Sequence, residues 1–313
     1  MKKVDFFIIG APKCGTTSLH EYLKDHPHIC FSDSKEPHYF SYDFPGYCTT
    51  GSLEEYHKKE FSHCNASEAI LGEGSVWYLY SKIAVEAIYD YNPDAKILIL
   101  LRDPVDMLQS LHSQVVLNLD EDVTIFEDAW YLQKNRANGC DIPKGCRVPE
   151  FLQYESIGKY SVQLERVFNK FPGKQVKVIL FEDLKRDTKD VYASVLDFLE
   201  IEDDNRTEFQ VSNQNKVIVS RSLATLLERP PKFVTFIVSF LKRALGVHRL
   251  GIYPLMNKLN VLINTKKQLR PELTSEFVNI LRATFLEDVE RTEKLIRRDL
   301  SSWKGGSRSG PQK

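Results

Sequence analysis

The sequence predicts an α/β protein in which a central parallel sheet is flanked by helices. Three mainly apolar runs carry that expectation, Val4–Ile9, Lys96–Leu101 and Val176–Phe181, separated by stretches of helical spacing. Strands that alternate with helices form parallel sheets joined by right-handed crossovers. Lys96–Leu101 is aliphatic after its lysine and bounded by polar residues, as a central strand covered on both faces requires.

The elements follow in order. Val4–Ile9 runs into a Gly-bounded loop and then a helix over Thr16–Lys24, with Thr and Ser at its start where capping hydroxyls belong. Ile29–Phe31 reads as a second short strand leading into Lys35–Phe40. Residues 42–68 are rich in Tyr, Gly, Thr, Ser and charges, which predicts loops with one short helix near Leu53–Glu60. Ile70–Leu71, Gly72-Glu73-Gly74-Ser75 and Val76–Tyr80 read as a second strand-to-helix corner, followed by an amphipathic helix over Ser81–Tyr91. Helices are expected over Val105–Asn118, Phe126–Asn138 and Tyr154–Phe171, the last stopped by Pro172-Gly173. Gly139–Pro149 is expected as a surface loop.

With 313 residues, 42% hydrophobic and 27% charged, the chain is long enough for one large domain, expected over residues 1–304. Residues 305–313 are Gly/Ser-rich and basic, the composition of a disordered tail. A net charge of −1 offers no global field for nucleic acid, so attraction of an anion has to be local. Arg229–Pro271 contains no Asp or Glu and is strongly cationic. Its aromatic and basic spacing suits a lid over a substrate, a peripheral membrane face or a basic helix wall.

Six cysteines show no C-x-x-C and no Cys/His spacing of a zinc site, so no metal is expected. They read as mostly reduced thiols, although Cys140 and Cys146 could pair in an oxidising compartment. The apolar run Phe233–Leu241 falls short of the roughly 20 residues a bilayer span needs. No signal peptide opens the chain, and the expected location is the cytoplasm.

The most informative segment is Gly10-Ala-Pro12-Lys13-Cys14-Gly15-Thr16-Thr17-Ser18, directly after the first strand. A strand, a Gly-bounded turn and a helix start aim unpaired backbone N–H groups at one point, a site for phosphate or sulfate. Nucleoside triphosphatases read G-x-x-x-x-G-K-[ST] there, and this chain has Thr16 in place of that lysine. Its only loop cation is Lys13, placed to meet charge developing on a bridging oxygen of the ligand.

The loop resembles the 5′-phosphosulfate loop of sulfotransferases that use 3′-phosphoadenosine 5′-phosphosulfate (PAPS). Lys35-Glu36-Pro37-His38-Tyr39-Phe40 is similar to the K-E-x-x-F-F stretch of the carbohydrate (heparan sulfate type) branch and its soluble bacterial-type relatives. Arg102-Asp103-Pro104 with Ser110 has the R-x-P…S spacing of the family's 3′-phosphate strand and helix, and Leu273–Trp303 resembles its terminal helix. The resemblance implies a P-loop-kinase-like sulfotransferase fold, PAPS as cosubstrate without a metal, and transfer of a sulfuryl group to a hydroxyl, or less expectedly an amine, of a glycan or small molecule. Golgi members of the family carry an amino-terminal anchor.

Residue by residue, the resemblance implies that Pro12 to Ser18 hold the phosphosulfate, Lys13 stabilises the transition state, and Arg102 and Ser110 grip the 3′-phosphate. Glu36 is the expected base for the acceptor proton, with His38 in reserve. Glu73 and Ser75 are expected to bind the acceptor, although Gly74 stands where glycan-specific relatives have the lysine of an E-K-S corner. Gly158-x-Tyr160 also fits a family pattern. In the region of Asn213, Lys216, Arg221 and Ser222, Arg221 is the residue expected to close over the nucleotide. Two rivals are a P-loop small-molecule kinase, which would need a lysine at Thr16 and could use Asp103 to hold magnesium, and a non-catalytic nucleotide-binding module.

Overall fold

The computed structural model describes residues 2–49, 51–64, 70–210, 216–218, 265–267 and 270–305. Arg221 and most of the acid-free segment lie outside the described residues, as does the tail from residue 306. Five strands, β1 (Phe6–Gly10), β2 (Ile29–Phe31), β3 (Ile70–Gly74), β4 (Lys96–Leu101) and β5 (Val176–Leu180), form one sheet in the order β2-β3-β1-β4-β5. Every pairing in it is parallel. β1 is buried along its whole length, and Leu98 to Leu101 of β4 have no exposed surface, as strands between two helical layers must be.

The chain leaves β1 toward one edge of the sheet, through α1 (Thr16–Lys24) to β2, and later fills the other side with β4 and β5. The direction of winding therefore reverses beside β1, and the carboxyl ends of β1 and β4 frame the crevice where such sheets bind ligands. α2 (Leu53–Phe61), α3 (Ala84–Tyr91) and α4 (Pro104–Leu117) precede the helices of the second half.

Several expected elements change when packed. β3 is a complete strand, and residues 76–80 after it are turns instead of a helix start. The helix expected over Phe126–Asn138 divides into α5 (Phe126–Tyr131) and α6 (Gln133–Ala137). That over Tyr154–Phe171 divides at Lys159 into α7 (Tyr154–Gly158) and α8 (Tyr160–Lys170). The second break has a clear cause: Asp288 accepts from the amides of Tyr160 and Ser161 at 2.8 and 3.1 Å and caps a new helix.

α9 (Phe181–Arg186) and α10 (Thr188–Leu199) follow β5 directly, where no element was anticipated. β6 (Lys216–Ile218) and β7 (Thr265–Lys267) form a separate antiparallel pair. α11 (Ser275–Ile296) packs on α8 and α4. Gly158, the last residue of α7, lets Phe285 of α11 come close, since a Cβ there would lie 2.6 Å from its ring.

The cysteine expectation is corrected. Cys30 of β2 and Cys64 beyond α2 form a disulfide with their Cα atoms 5.9 Å apart, while Cys140 and Cys146 are free. A separation of 34 residues carries no local signal; pairing arises because α2 returns the chain to the edge strand. No helix among the described residues is long and apolar enough to cross a membrane.

Candidate active site

The anion loop leaves β1 at Gly10 and enters α1 through Gly15, whose φ of 91° suits glycine. Space demands it as well, because a Cβ at Gly15 would lie 3.0 Å from both Phe181 and Leu184 of α9. No side chain caps α1, so its first amides are open to a ligand. Cys14 turns inward, donates to the Pro12 carbonyl at 3.3 Å and is pushed up to about 12 by burial. It can offer a ligand its backbone but not a thiolate.

Lys13 lies between two groups of charge. Its Nζ donates to Gln114 Oε1 of α4 at 3.1 Å. Burial, then the nearby charges of Arg270 and Lys35, lower its ammonium to about 8, against the opposing pull of Glu36. An ammonium so disfavoured gains more than an exposed one from an arriving anion.

On the β4 side, Arg102 leaves the strand end, lies 4.7 Å over the Phe181 ring and approaches Asp106 at 3.7 Å. Ser110 is buried on α4, and its Oγ accepts from Arg270 Nη2 at 2.9 Å. The two residues expected as a clamp do not bond each other directly; Arg270 bonds Ser110 and lies within reach of the charge of Arg102. Its own guanidinium is disfavoured by burial and by the charge of Arg102. Tyr160 explains the weak Gly158-x-Tyr160 pattern, since its hydroxyl donates to the Arg102 carbonyl at 3.1 Å beside Cys14. It ties the loop to the end of β4.

On the β3 side, Lys35 Nζ donates to Thr17 Oγ1 at 2.7 Å and to Glu36 Oε1 at 3.1 Å. The other Glu36 oxygen is 3.2 Å from His38 Nε2. Burial opposes ionisation of Glu36, but the His38 hydrogen bond and the charge of Lys35 outweigh it and hold the carboxyl at about 2. Glu36, Lys35, Thr16, His20 and Gly74 line one small cleft above β1 and β3.

Glu73 and Ser75, the residues expected to bind the acceptor, lie at the end of β3. Both are fully buried, with Ser75 Oγ donating to Glu73 at 2.7 Å and Tyr56 closing on the same carboxylate. Ser75 also accepts from the His38 amide at 3.0 Å. Through Ser75 they hold the Glu36–His38 segment from beneath. Asp103 is committed too, capping α4 and paired with both terminal nitrogens of Arg282 at 2.8 and 2.6 Å.

The structure thus brings Lys13, Thr16, Thr17, Arg102, Ser110, Lys35, Glu36 and His38 to the ends of β1, β3 and β4. It adds Arg270, Gln114 and His20, which sequence reasoning did not select. Arg270 had one sequence signal, its place at the end of the acid-free stretch. Gln114 and His20 had none, because their meaning depends on which helix face meets the loop.

A sulfotransferase domain model matches residues 3–224. Carbohydrate sulfotransferase 15 of Homo sapiens is 24% identical over 279 residues, covering 72% of this chain and 47% of that protein. Heparan sulfate glucosamine 3-O-sulfotransferase 3B1 of Homo sapiens is 29% identical over 194 residues, covering 61% of this chain and 45% of that protein. The chain spans about half the length of these curated relatives. The crystal structure of a sulfotransferase from Alicyclobacillus acidocaldarius superposes with a TM-score of 0.69 at 27% identity, covering 97% of this chain and all of that one. The fold is accordingly the P-loop-kinase-like one of that group, with the lysine of the loop displaced from the triphosphatase position to Lys13. By the domain that spans most of its length, the chain belongs to the sulfotransferase family.

Proposed function

We propose that this chain transfers the sulfuryl group of PAPS to a hydroxyl of a glycan or small-molecule acceptor, by in-line displacement without a metal. The observation that carries the reading is the convergence of Lys13, Arg102 and Arg270 on one crevice, where burial and the neighbouring cations disfavour the charged forms of Lys13 and Arg270 until an anion arrives. The open amides of α1 and Lys13 hold the phosphosulfate, and Arg102, Ser110 and Arg270 hold the 3′-phosphate that distinguishes this nucleotide from ordinary adenine nucleotides. The acceptor oxygen bonds to sulfur as the bond from sulfur to the phosphate oxygen breaks. Lys13 neutralises the charge left on that oxygen, and Glu36, ionised between Lys35 and His38, takes the acceptor proton.

Thr16 and the Arg282-bound Asp103 leave the kinase rival without its lysine and with its magnesium acid already paired. Radiolabelled PAPS with a panel of saccharide and small-molecule hydroxyl acceptors tests the reading, with EDTA as the control. Labelled product that survives EDTA is the expected result. Phosphate transfer from ATP abolished by EDTA would overturn it, and PAP binding without single-turnover transfer would indicate a binding module. The location is part of the proposal: the cytoplasmic expectation competes with the Cys30–Cys64 disulfide, which suits an oxidising compartment. Fractionation with thiol labelling decides between them.

A further inference from the structure

We propose that His20 recognises the acceptor: its Nε2 accepts a hydrogen bond from a second hydroxyl or amino group that neighbours the hydroxyl being sulfated. The inference rests on the sulfuryl-transfer reading and names a recognition element for its unidentified substrate. His20 lies on α1 one turn past Thr16, 4% exposed, with its ring 4.3 Å from that of Phe31. Its Nδ1 is 3.2 Å from Glu21 Oε1. A carboxylate only accepts, so Nδ1 carries the proton and Nε2 is left with a lone pair.

That Nε2 is buried and has no hydrogen-bond partner among the described residues. Buried polar atoms are nearly always paired, so an orphan lining a cleft is a place for a hydrogen bond from outside the chain. Burial pushes the imidazole below its ordinary value and so favours the neutral ring, against the pull of Glu21.

Position assigns the partner to the acceptor and not to the nucleotide. Arg102, Ser110 and Arg270 occupy the β4 side of the anion loop. His20 shares the β3-side cleft with Thr16, Lys35, Glu36 and Gly74, on the side that holds the proposed base. Gly74 puts no side chain in the way, since even a Cβ there would sit 3.7 Å from His20 Cδ2. An uncharged lone pair beside the base selects a neutral hydrogen-bond donor, as in a diol or amino alcohol, over a carboxylate or sulfate.

The test has two arms on the full chain. With isotope-labelled histidine and saturating PAP at about pH 7, nitrogen NMR should show His20 protonated at Nδ1 and bare at Nε2. An Nε2–H tautomer or an imidazolium would overturn the proposal. In the second arm, methyl β-D-galactopyranoside and its monodeoxy derivatives are offered with labelled PAPS. One deoxygenation away from the sulfated position should cost wild type about 10- to 100-fold in kcat/KM. His20→Phe, which keeps a ring against Phe31, should lose that factor on the parent sugar through KM, lose no more on that derivative, and bind PAP normally. His20→Gln, whose amide oxygen can accept, should recover part of it. Equal sensitivity of wild type and His20→Phe to every deoxygenation would refute the role. Absence of both PAP binding and labelled product in wild type would defeat the sulfuryl-transfer reading instead, while the tautomer arm still reads His20.

Discussion

Arg270 Nη2 donates to Ser110 Oγ at 2.9 Å although 160 residues separate the two in sequence. The bond delivers the end of the cationic segment to the middle of α4, near Arg102 at the end of β4. The cluster of three cations with Asp106 at its edge is the proposed anion site, in which burial and mutual repulsion disfavour the charged forms of Lys13 and Arg270.

Arg270→Ala should therefore weaken PAP binding by about 10- to 100-fold, the usual scale for losing a charge-assisted bond. Affinity for adenosine 5′-phosphosulfate, which lacks the 3′-phosphate, should change little. Calorimetric titration of both ligands checks this, and parallel losses would remove Arg270 from the 3′-phosphate site.

Lys13 should make binding proton-linked. Its ammonium sits near 8 in the free protein and rises when a phosphosulfate or phosphate approaches, so PAP binding takes up protons around pH 8 to 9. Affinity should fall as pH climbs through that range. Titration in buffers of different ionisation enthalpy measures the uptake, and Lys13→Ala should abolish it while lowering turnover on the order of 100- to 1000-fold.

Linkage to stability has the matching sign. The unfolded lysine keeps its proton to a higher pH than the native one, so between about 8 and 10.5 the unfolded chain binds more protons and Lys13 penalises folding less as pH rises. The penalty is full below about 8.

Glu36→Gln keeps size and loses proton acceptance, and turnover should drop roughly 100-fold or more with PAP binding retained. With its carboxyl held at about 2, Glu36 stays ionised in any ordinary assay, so it contributes no acid limb above about pH 3. Its stabilising contribution is full above the ordinary carboxylate range and is lost as pH falls toward 2. A near-normal rate for Glu36→Gln together with an inactive His38→Ala would transfer the base role to the histidine.

The Cys30–Cys64 bridge should leave four thiols, Cys14, Cys48, Cys140 and Cys146, reactive in unfolded, unreduced protein. Replacing Cys30 and Cys64 together with serine should lower unfolding free energy by about 2–4 kcal/mol in urea. Six reactive thiols before reduction would contradict the bridge.

Strand cores and the anion loop were legible from the sequence because their signals are local. KILILL, short and bounded by polar residues, reads as a buried strand, and a strand running into Gly10 to Ser18 reads as a turn with open amides. Family resemblance then added Arg102, Ser110 and Glu36 by spacing. Helix continuity was less legible: the period of 154–171 is unbroken, yet Asp288, more than a hundred residues away, caps a second helix at Tyr160. Glu73 and Ser75 show the same limit, since their motif does not reveal that Tyr56 and His38 bury them as a support. The Cys30–Cys64 bridge, the Arg270–Ser110 contact and the orphaned nitrogen of His20 were decided only by tertiary packing. Each joins or isolates groups through chain closure over tens of residues or more, and a linear pattern carries no term for which distant side chains meet.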